Sequence, residues 1–136
     1  ELIMSHYAEA SDPDINIPPN PDWPRLLKHE KRGWFKVWTA RDGKQLIGYR
    51  CYYLDYEPTT QAMGAVEGPY YLDPEYREGN IGYKLMFGAE PLLKDRGVRR
   101  VVGHFPLATY QTRGGLLPLY ERGGYKAFEV RVAKKL

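Results

Sequence analysis

One stretch of this 136-residue chain restricts its fold more than any other. Met63–Leu72 is rich in apolar and aromatic residues and reads as a strand, and Asp73-Pro74 stops it. From Ile81 the period changes: Ile81, Leu85, Ala89 and Leu92 recur at helical spacing, and Gly97 closes the segment. Val98–Phe105 reads as a strand again. Strand, helix and strand in direct succession require a right-handed crossover with parallel pairing in one sheet. Pro91 falls inside the helical stretch, where it removes a donor and crowds the carbonyl of Phe87, so a kink is expected there.

The rest of the chain adds antiparallel pairing. Trp34–Ala40 and Leu46–Tyr56 read as strands joined by a tight Asp42-Gly43 turn, and Pro58–Gln61 leads into the third strand. Gly64, Gly68 and Pro69 interrupt that third strand, which predicts a bulge or a close approach by a ligand. Leu2, Ile3, His6, Tyr7 and Ala10 predict an N-terminal helix. A second helix is expected from Asn20 as N-cap, with Pro21 at its first position, to about Arg32. Near the C-terminus, Arg113–Arg122 reads as a helix ended by Gly123-Gly124, and Tyr125–Val132 as the last strand. Together these make a mixed α/β fold with one central sheet, in a single domain spanning 1–136.

Composition narrows the function classes. With 43% hydrophobic and 27% charged residues the chain is globular rather than disordered. No apolar run reaches the roughly 18 residues of a membrane helix. Cys51 is alone, which excludes an intrachain disulfide and fits a reducing, cytoplasmic setting. The three histidines and this cysteine show no ligand spacing, so no metal site is expected. From Lys94 onward ten Lys/Arg face three Asp/Glu. A basic C-terminal third suits a phosphate-bearing cofactor or a nucleic acid, or is simply a solvated face.

The junction Tyr70-Tyr71-Leu72-Asp73-Pro74-Glu75-Tyr76-Arg77-Glu78-Gly79-Asn80-Ile81-Gly82 carries the chemistry. A helix begins with backbone N–H groups that have no intrahelical partner. Gly79 and Gly82 let a ligand approach that backbone, and Arg77 adds a planar fork of donors. The combination suits a pyrophosphate. The alternative is a plain strand–turn–helix in which Gly82 serves packing.

This junction resembles the acetyl-CoA signature of the GNAT superfamily of N-acyltransferases, R/Q-x-x-G-x-G/A. Arg77, Asn80 and Gly82 fall on its three marked positions, with Asn80 where the family has glycine. Asparagine tolerates positive φ, so the loop is expected to form with Asn80 in that conformation. Leu119-Tyr120-Glu121-Arg122-Gly123-Gly124-Tyr125 is similar to a second family segment, L-Y-E-K-L-G-F. The resemblance covers Trp34–Leu136 well and Glu1–Gly33 loosely. Segments Pro19–Trp23 and Tyr71–Arg77 look similar to small acyltransferases of bacteriophage genomes. The resemblance implies a mostly antiparallel central sheet flanked by helices, with one parallel strand–helix–strand crossover. The family's usual first strand has no counterpart here, so the sheet is one strand short or that strand lies outside the given sequence.

The resemblance also implies a reaction: direct attack of a primary amine on the thioester of acetyl-CoA. The cofactor would be held by the backbone of Tyr70, Tyr71 and Leu72, by Arg77, Glu78, Gly79, Asn80, Ile81 and Gly82, and near Thr109, which stands where the family often has asparagine. Tyr120 falls at the position of the family's general acid. Glu67 and His104 both stand where members carry a general base. The Tyr52, Tyr53, Tyr56 cluster would wall the acceptor pocket or belong to the core. The acceptor is an amine on a small molecule or a protein, and an uncovered sheet edge could be covered by a second copy as a homodimer. Two rivals stand beside the enzyme: a catalytically inactive protein-binding module of the same fold, favoured by Asn80 and Thr109, and a nucleic-acid binder using the basic C-terminal third, which lacks a dedicated motif.

Overall fold

The computed structural model describes residues 1–10, 17–104 and 116–129. The chain divides into two compact units, Glu1–Gly103 and His104–Leu136. The first contains a four-stranded sheet of order β1-β2-β3-β4, with β1 at Phe35–Asp42, β2 at Gln45–Tyr56, β3 at Met63–Leu72 and β4 at Arg100–Val102. The first three strands pair antiparallel and β4 joins β3 in parallel, as the strand–helix–strand order predicts.

The β1–β2 hairpin turns on Gly43 and Lys44, with Asp42 opposite Gln45. Gly43 has φ +55°, so glycine takes the first central position that a two-residue hairpin turn reserves for it. Ile47 is an extra residue on β2: Ala40 faces Gly48 and Arg41 faces Leu46.

Helix α1 is Leu2–Ala10, and α2 is Trp23–Lys31. The N-cap of α2 is Asp22 rather than Asn20: its Oδ1 accepts from the N–H of Arg25 at 3.0 Å. Pro24 then sits in the first turn, where its missing donor costs nothing.

The expected single helix Ile81–Arg96 is two helices, α3 at Ile81–Phe87 and α4 at Glu90–Asp95. The break lies at Gly88-Ala89, upstream of Pro91, and Pro91 occupies the first turn of α4. A proline needs no donor there, so the chain restarts its helix around Pro91 instead of bending through it. α4 ends at Gly97, whose φ is +86°. β4 is shorter than the expected Val98–Phe105.

The core lies between the sheet and α3–α4. Tyr52, Leu54 and Ala65 from the sheet meet Ala89, Leu93 and Val98, and Ile47 and Leu72 meet Leu85. α1 lies on the opposite face, where His6 contacts Tyr49 and Tyr71. In the second unit, α5 is Leu116–Arg122. It ends in a Schellman-type closure: the N–H of Tyr125 bonds the carbonyl of Tyr120 at 3.0 Å, and Gly124 has φ +87°. Tyr125–Glu129 is not a strand, contrary to expectation.

Candidate functional site

The predicted irregularity of the third strand is a bulge. Arg50 pairs with Tyr70 and Tyr52 with Glu67, so Gly68 and Pro69 together oppose Cys51. Glycine fits closely here: a Cβ at 68 would lie 2.8 Å from a Tyr53 ring carbon and 3.2 Å from Cys51 Cβ, so the exposed Tyr53 ring would have to shift. The bulge changes which side each residue faces. Glu67 and Tyr70, three residues apart, both flank Arg50, whereas a regular strand would put them on opposite faces.

The bulge also changes which backbone groups reach the free edge. The N–H of Asp73 bonds the carbonyl of Ile47 on β2 at 2.9 Å. By alternation Leu72 and Tyr70 direct their peptide groups away from β2. β4 pairs only as far as Val66, so among the described residues this edge is unpaired beyond it. The Leu72 carbonyl is taken by Arg77 Nε at 2.8 Å. Among the described residues, what remains at Leu72 is a donor, and Tyr70 keeps both its donor and its acceptor. Of the three residues expected to hold a thioester and its arm, Tyr70 and Leu72 thus present open backbone, while Tyr71 pairs with Tyr49 on β2.

The turn follows directly. Pro74–Tyr76 forms one 3₁₀ turn, with the Asp73 carboxylate accepting from the N–H of Glu75 at 3.2 Å. Tyr76 Oη donates to Asp42 Oδ2 at 3.0 Å, tying the turn to the β1–β2 hairpin. Gly79 has φ +80°. Asn80 has φ −106°, so the left-handed position belongs to Gly79 and not to Asn80 as expected. Asn80 therefore replaces the family's glycine without backbone strain. The first helical bond of this segment runs from Lys84 N–H to the Asn80 carbonyl at 3.0 Å. Ile81, Gly82 and Tyr83 thus have N–H groups without an intrahelical acceptor. Among the described residues, a Cβ at Gly82 would meet nothing closer than Tyr70 Oη at 3.6 Å and Leu72 Cδ2 at 3.7 Å, which is ordinary contact. Packing against the described residues does not demand glycine at 82.

Arg77 does not hold its fork open. Nη1 and Nη2 donate to the two carboxylate oxygens of Glu9 at 2.8 and 2.5 Å, and the guanidinium lies 5.5 Å from the Tyr71 ring centroid. One turn earlier on α1, His6 stacks on Tyr71 at 5.3 Å, and its Nδ1 shares a hydrogen bond with the Tyr49 hydroxyl at 2.8 Å. Burial lowers the pKa of His6, with Glu9 pushing it up and Arg77 down. Burial pushes Tyr49 up to about 12, so its hydroxyl keeps its proton.

Glu67 is not a solvated strand carboxylate. It is buried and ion-paired with Arg50, which is fully buried between the rings of Tyr52 and Tyr70, 5.2 and 5.6 Å from their centroids. Arg50 Nε and Nη1 have no hydrogen-bond partner among the described residues. His104 is exposed and lies beyond the end of β4. Tyr120 is buried on α5 and meets Tyr125 edge-on at 5.1 Å. Thr109 lies outside the described residues, as does Arg113–Gly115 of the expected helix. Of the expected acceptor wall, Tyr52 is core, whereas Tyr53 and Tyr56 are exposed.

The sequence reading passed over Glu9, His6, Tyr49 and Arg50. Only Arg50, a charge inside an aromatic strand, left a local signal. Among the described residues no group of His, Cys, Asp and Glu could hold a metal ion, and no helix is long and apolar enough to cross a membrane.

Residues 3–125 match the model of the acetyltransferase (GNAT) family. No curated protein matches the sequence. Among solved structures, a GCN5-related N-acetyltransferase from Ralstonia eutropha JMP134 is similar at 24% identity and TM-score 0.73, covering 100% of this chain and 91% of that one. An aminoglycoside acetyltransferase from an uncultured soil metagenomic sample is similar at 15% identity and TM-score 0.76, covering 98% and 88%. A ribosomal-protein-alanine N-acetyltransferase from Brucella melitensis biovar Abortus 2308 is similar at 20% identity and TM-score 0.68, also covering 98% and 88%. At these identities the likeness is one of fold.

Proposed function

Because the chain belongs to the acetyltransferase (GNAT) family, we propose that it transfers an acetyl group from acetyl-CoA to a primary amine by direct attack. The observation that carries this reading is the pairing of an open strand edge at Tyr70 and Leu72 with a turn whose Gly82 has no packing reason among the described residues to be glycine. Acetyl-CoA supplies an activated acyl thioester. The N–H groups of Ile81, Gly82 and Tyr83, with the Glu78-Gly79-Asn80 backbone, would hold its pyrophosphate. The N–H groups of Tyr70 and Leu72 would hold acceptor oxygens along the thioester arm.

The amine must lose a proton before it attacks, since an alkylammonium of pKa roughly 10 has no lone pair to offer. Glu67 would have to leave Arg50 to accept that proton, which favours the exposed His104 as base. Tyr120 would return a proton to the departing thiolate. The acceptor class stays at the level of an amine on a small molecule or a protein.

The test is a calorimetric titration of the chain with acetyl-CoA, repeated on Gly82→Trp, followed by thiol-release assays over a panel of amines. Binding in the parent, none in the variant, and thiol release with some amine would support the reading. A folded parent that binds acetyl-CoA but acetylates nothing would favour the inactive binding module.

A further inference from the structure

The free edge of β3 depends on a helix distant in sequence. α1 buries none of its residues fully. Its polar attachment to the sheet is made by one face, where His6 and Glu9, three residues apart, share a side of the helix. His6 meets Tyr49 and Tyr71, and Glu9 takes the Arg77 fork through both its oxygens. The third contact of that guanidinium is the Leu72 carbonyl. A planar guanidinium held at two nitrogens by one carboxylate cannot rotate, so Glu9 fixes the direction of the Nε–H.

We propose that Glu9 is a positioning residue for the acetyl-CoA strand: by locking Arg77 it closes the Leu72 carbonyl and leaves that residue's edge as a donor. The inference rests on the cofactor reading given above. A ligand arm bearing carbonyl oxygens finds a donor at Leu72 where an unclamped strand would also offer an acceptor. Glu9 acts on the strand through Arg77. The clamp also gives the arginine of the signature a role other than phosphate contact. Its side chain shapes the strand, and the turn after it supplies the anion site through backbone N–H groups.

The experiment compares the full chain with Glu9→Gln and with a charge-exchanged pair, Glu9→Arg with Arg77→Glu. Acetyl-CoA titration and site-resolved amide hydrogen exchange are measured on each. Glutamine keeps one acceptor but sets an N–H against the guanidinium. Glu9→Gln is expected to weaken acetyl-CoA about tenfold, the loss of one charge-assisted bond's worth of order. It should also speed exchange from Tyr70 to Gly82 while Phe35–Asp42 exchanges as in the parent. The exchanged pair should restore protection of α1 but not acetyl-CoA affinity, because a carboxylate at 77 has no proton for the Leu72 carbonyl. Unchanged affinity and exchange in Glu9→Gln would overturn the proposal. Full recovery of affinity in the exchanged pair would also overturn it, by reducing Glu9 to a helix anchor. If the parent binds no acetyl-CoA, the cofactor reading fails, and the exchange rates alone then decide whether Glu9 orders the strand.

Discussion

Replacing Gly82 with alanine should make the free protein more stable. The residue sits in the first turn of α3 with helical backbone, so glycine there carries an entropic cost of up to about 1 kcal/mol relative to alanine. The added methyl would rest 3.6 Å from Tyr70 Oη and 3.7 Å from Leu72 Cδ2, distances that add contact without overlap. For a chain of this size a gain of about 0.7 kcal/mol raises the thermal midpoint by roughly 3 °C. Gly48→Ala is the control of opposite sign. Its Cβ would lie 2.9 Å from Leu72 Cδ1, 2.9 Å from the Tyr71 carbonyl and 3.0 Å from Leu85 Cδ2, so overpacking should cost about 1–3 kcal/mol. The ligand arm uses the same variants with Gly82→Trp. Ligand at a hundred times its dissociation constant stabilises a folded protein by about 2.7 kcal/mol. Acetyl-CoA should produce that shift in the parent and, because the family's pattern admits alanine at this place, most of it in Gly82→Ala. Gly82→Trp should show none. The assay is thermal unfolding with and without acetyl-CoA, followed by circular dichroism. Destabilisation by Gly82→Ala would show that glycine serves packing after all, and an undiminished acetyl-CoA shift in Gly82→Trp would remove the cofactor from this turn.

Four further outcomes are expected. Asn80→Gly should tighten acetyl-CoA binding in a calorimetric titration, since Asn80 is unstrained and only its side chain stands between the ligand and the turn; weaker binding would give that side chain a contact of its own. Glu67→Gln strands the buried Arg50 charge and should cost about 3–5 kcal/mol by urea denaturation, a cost that Arg50→Met in the same chain should largely relieve. His6 binds its proton less readily when folded than when unfolded, so its contribution is complete above its ordinary value of 6.5 and declines as pH falls below it; the parent's urea midpoint should drop there, and His6→Gln should flatten the slope. Tyr120→Phe should lower turnover far more than acetyl-CoA affinity, and equal losses in both would assign Tyr120 to packing.

Features confined to neighbours in the chain were legible in the sequence. The β1–β2 hairpin follows from Asp42-Gly43, the bulge from Gly68-Pro69, and the turn into α3 from the glycines that frame it. Where two local rules competed, the reading went astray. Asn20-Pro21 and Asp22-Trp23-Pro24 both resemble helix starts, and Asp22 prevails because its carboxylate reaches Arg25 N–H. Pro91 signalled a disturbance, but proline is equally suited to a helix's first turn, and the break fell at Gly88-Ala89. The contacts that organise the site were out of reach for a different reason. Glu9 meets Arg77 and His6 meets Tyr49 across most of a domain, and no periodicity couples residues so far apart. Arg50 and Glu67 are only 17 residues apart on adjacent strands, yet their pairing was hidden too. Alternation says only that a residue faces one side, and the bulge reverses that parity between Glu67 and Tyr70.

That reversal makes the strand's pairing as binding as its composition. Deleting either Gly68 or Pro69 would restore an unbroken ladder with β2 in the same register, because Glu67 and Tyr70 would then stand two residues apart and stay together beside Arg50. Pairing regularly with both residues kept would instead slip the register by one, driving Tyr71 toward the α3 face and turning Leu72 out toward α1. The same shift would swap the peptide groups, burying in the β2 pairing those that now look outward. Point substitutions around the bulge can be absorbed one at a time. A slip of one residue in the pairing before Asp73 inverts the inside and outside of the site at a stroke.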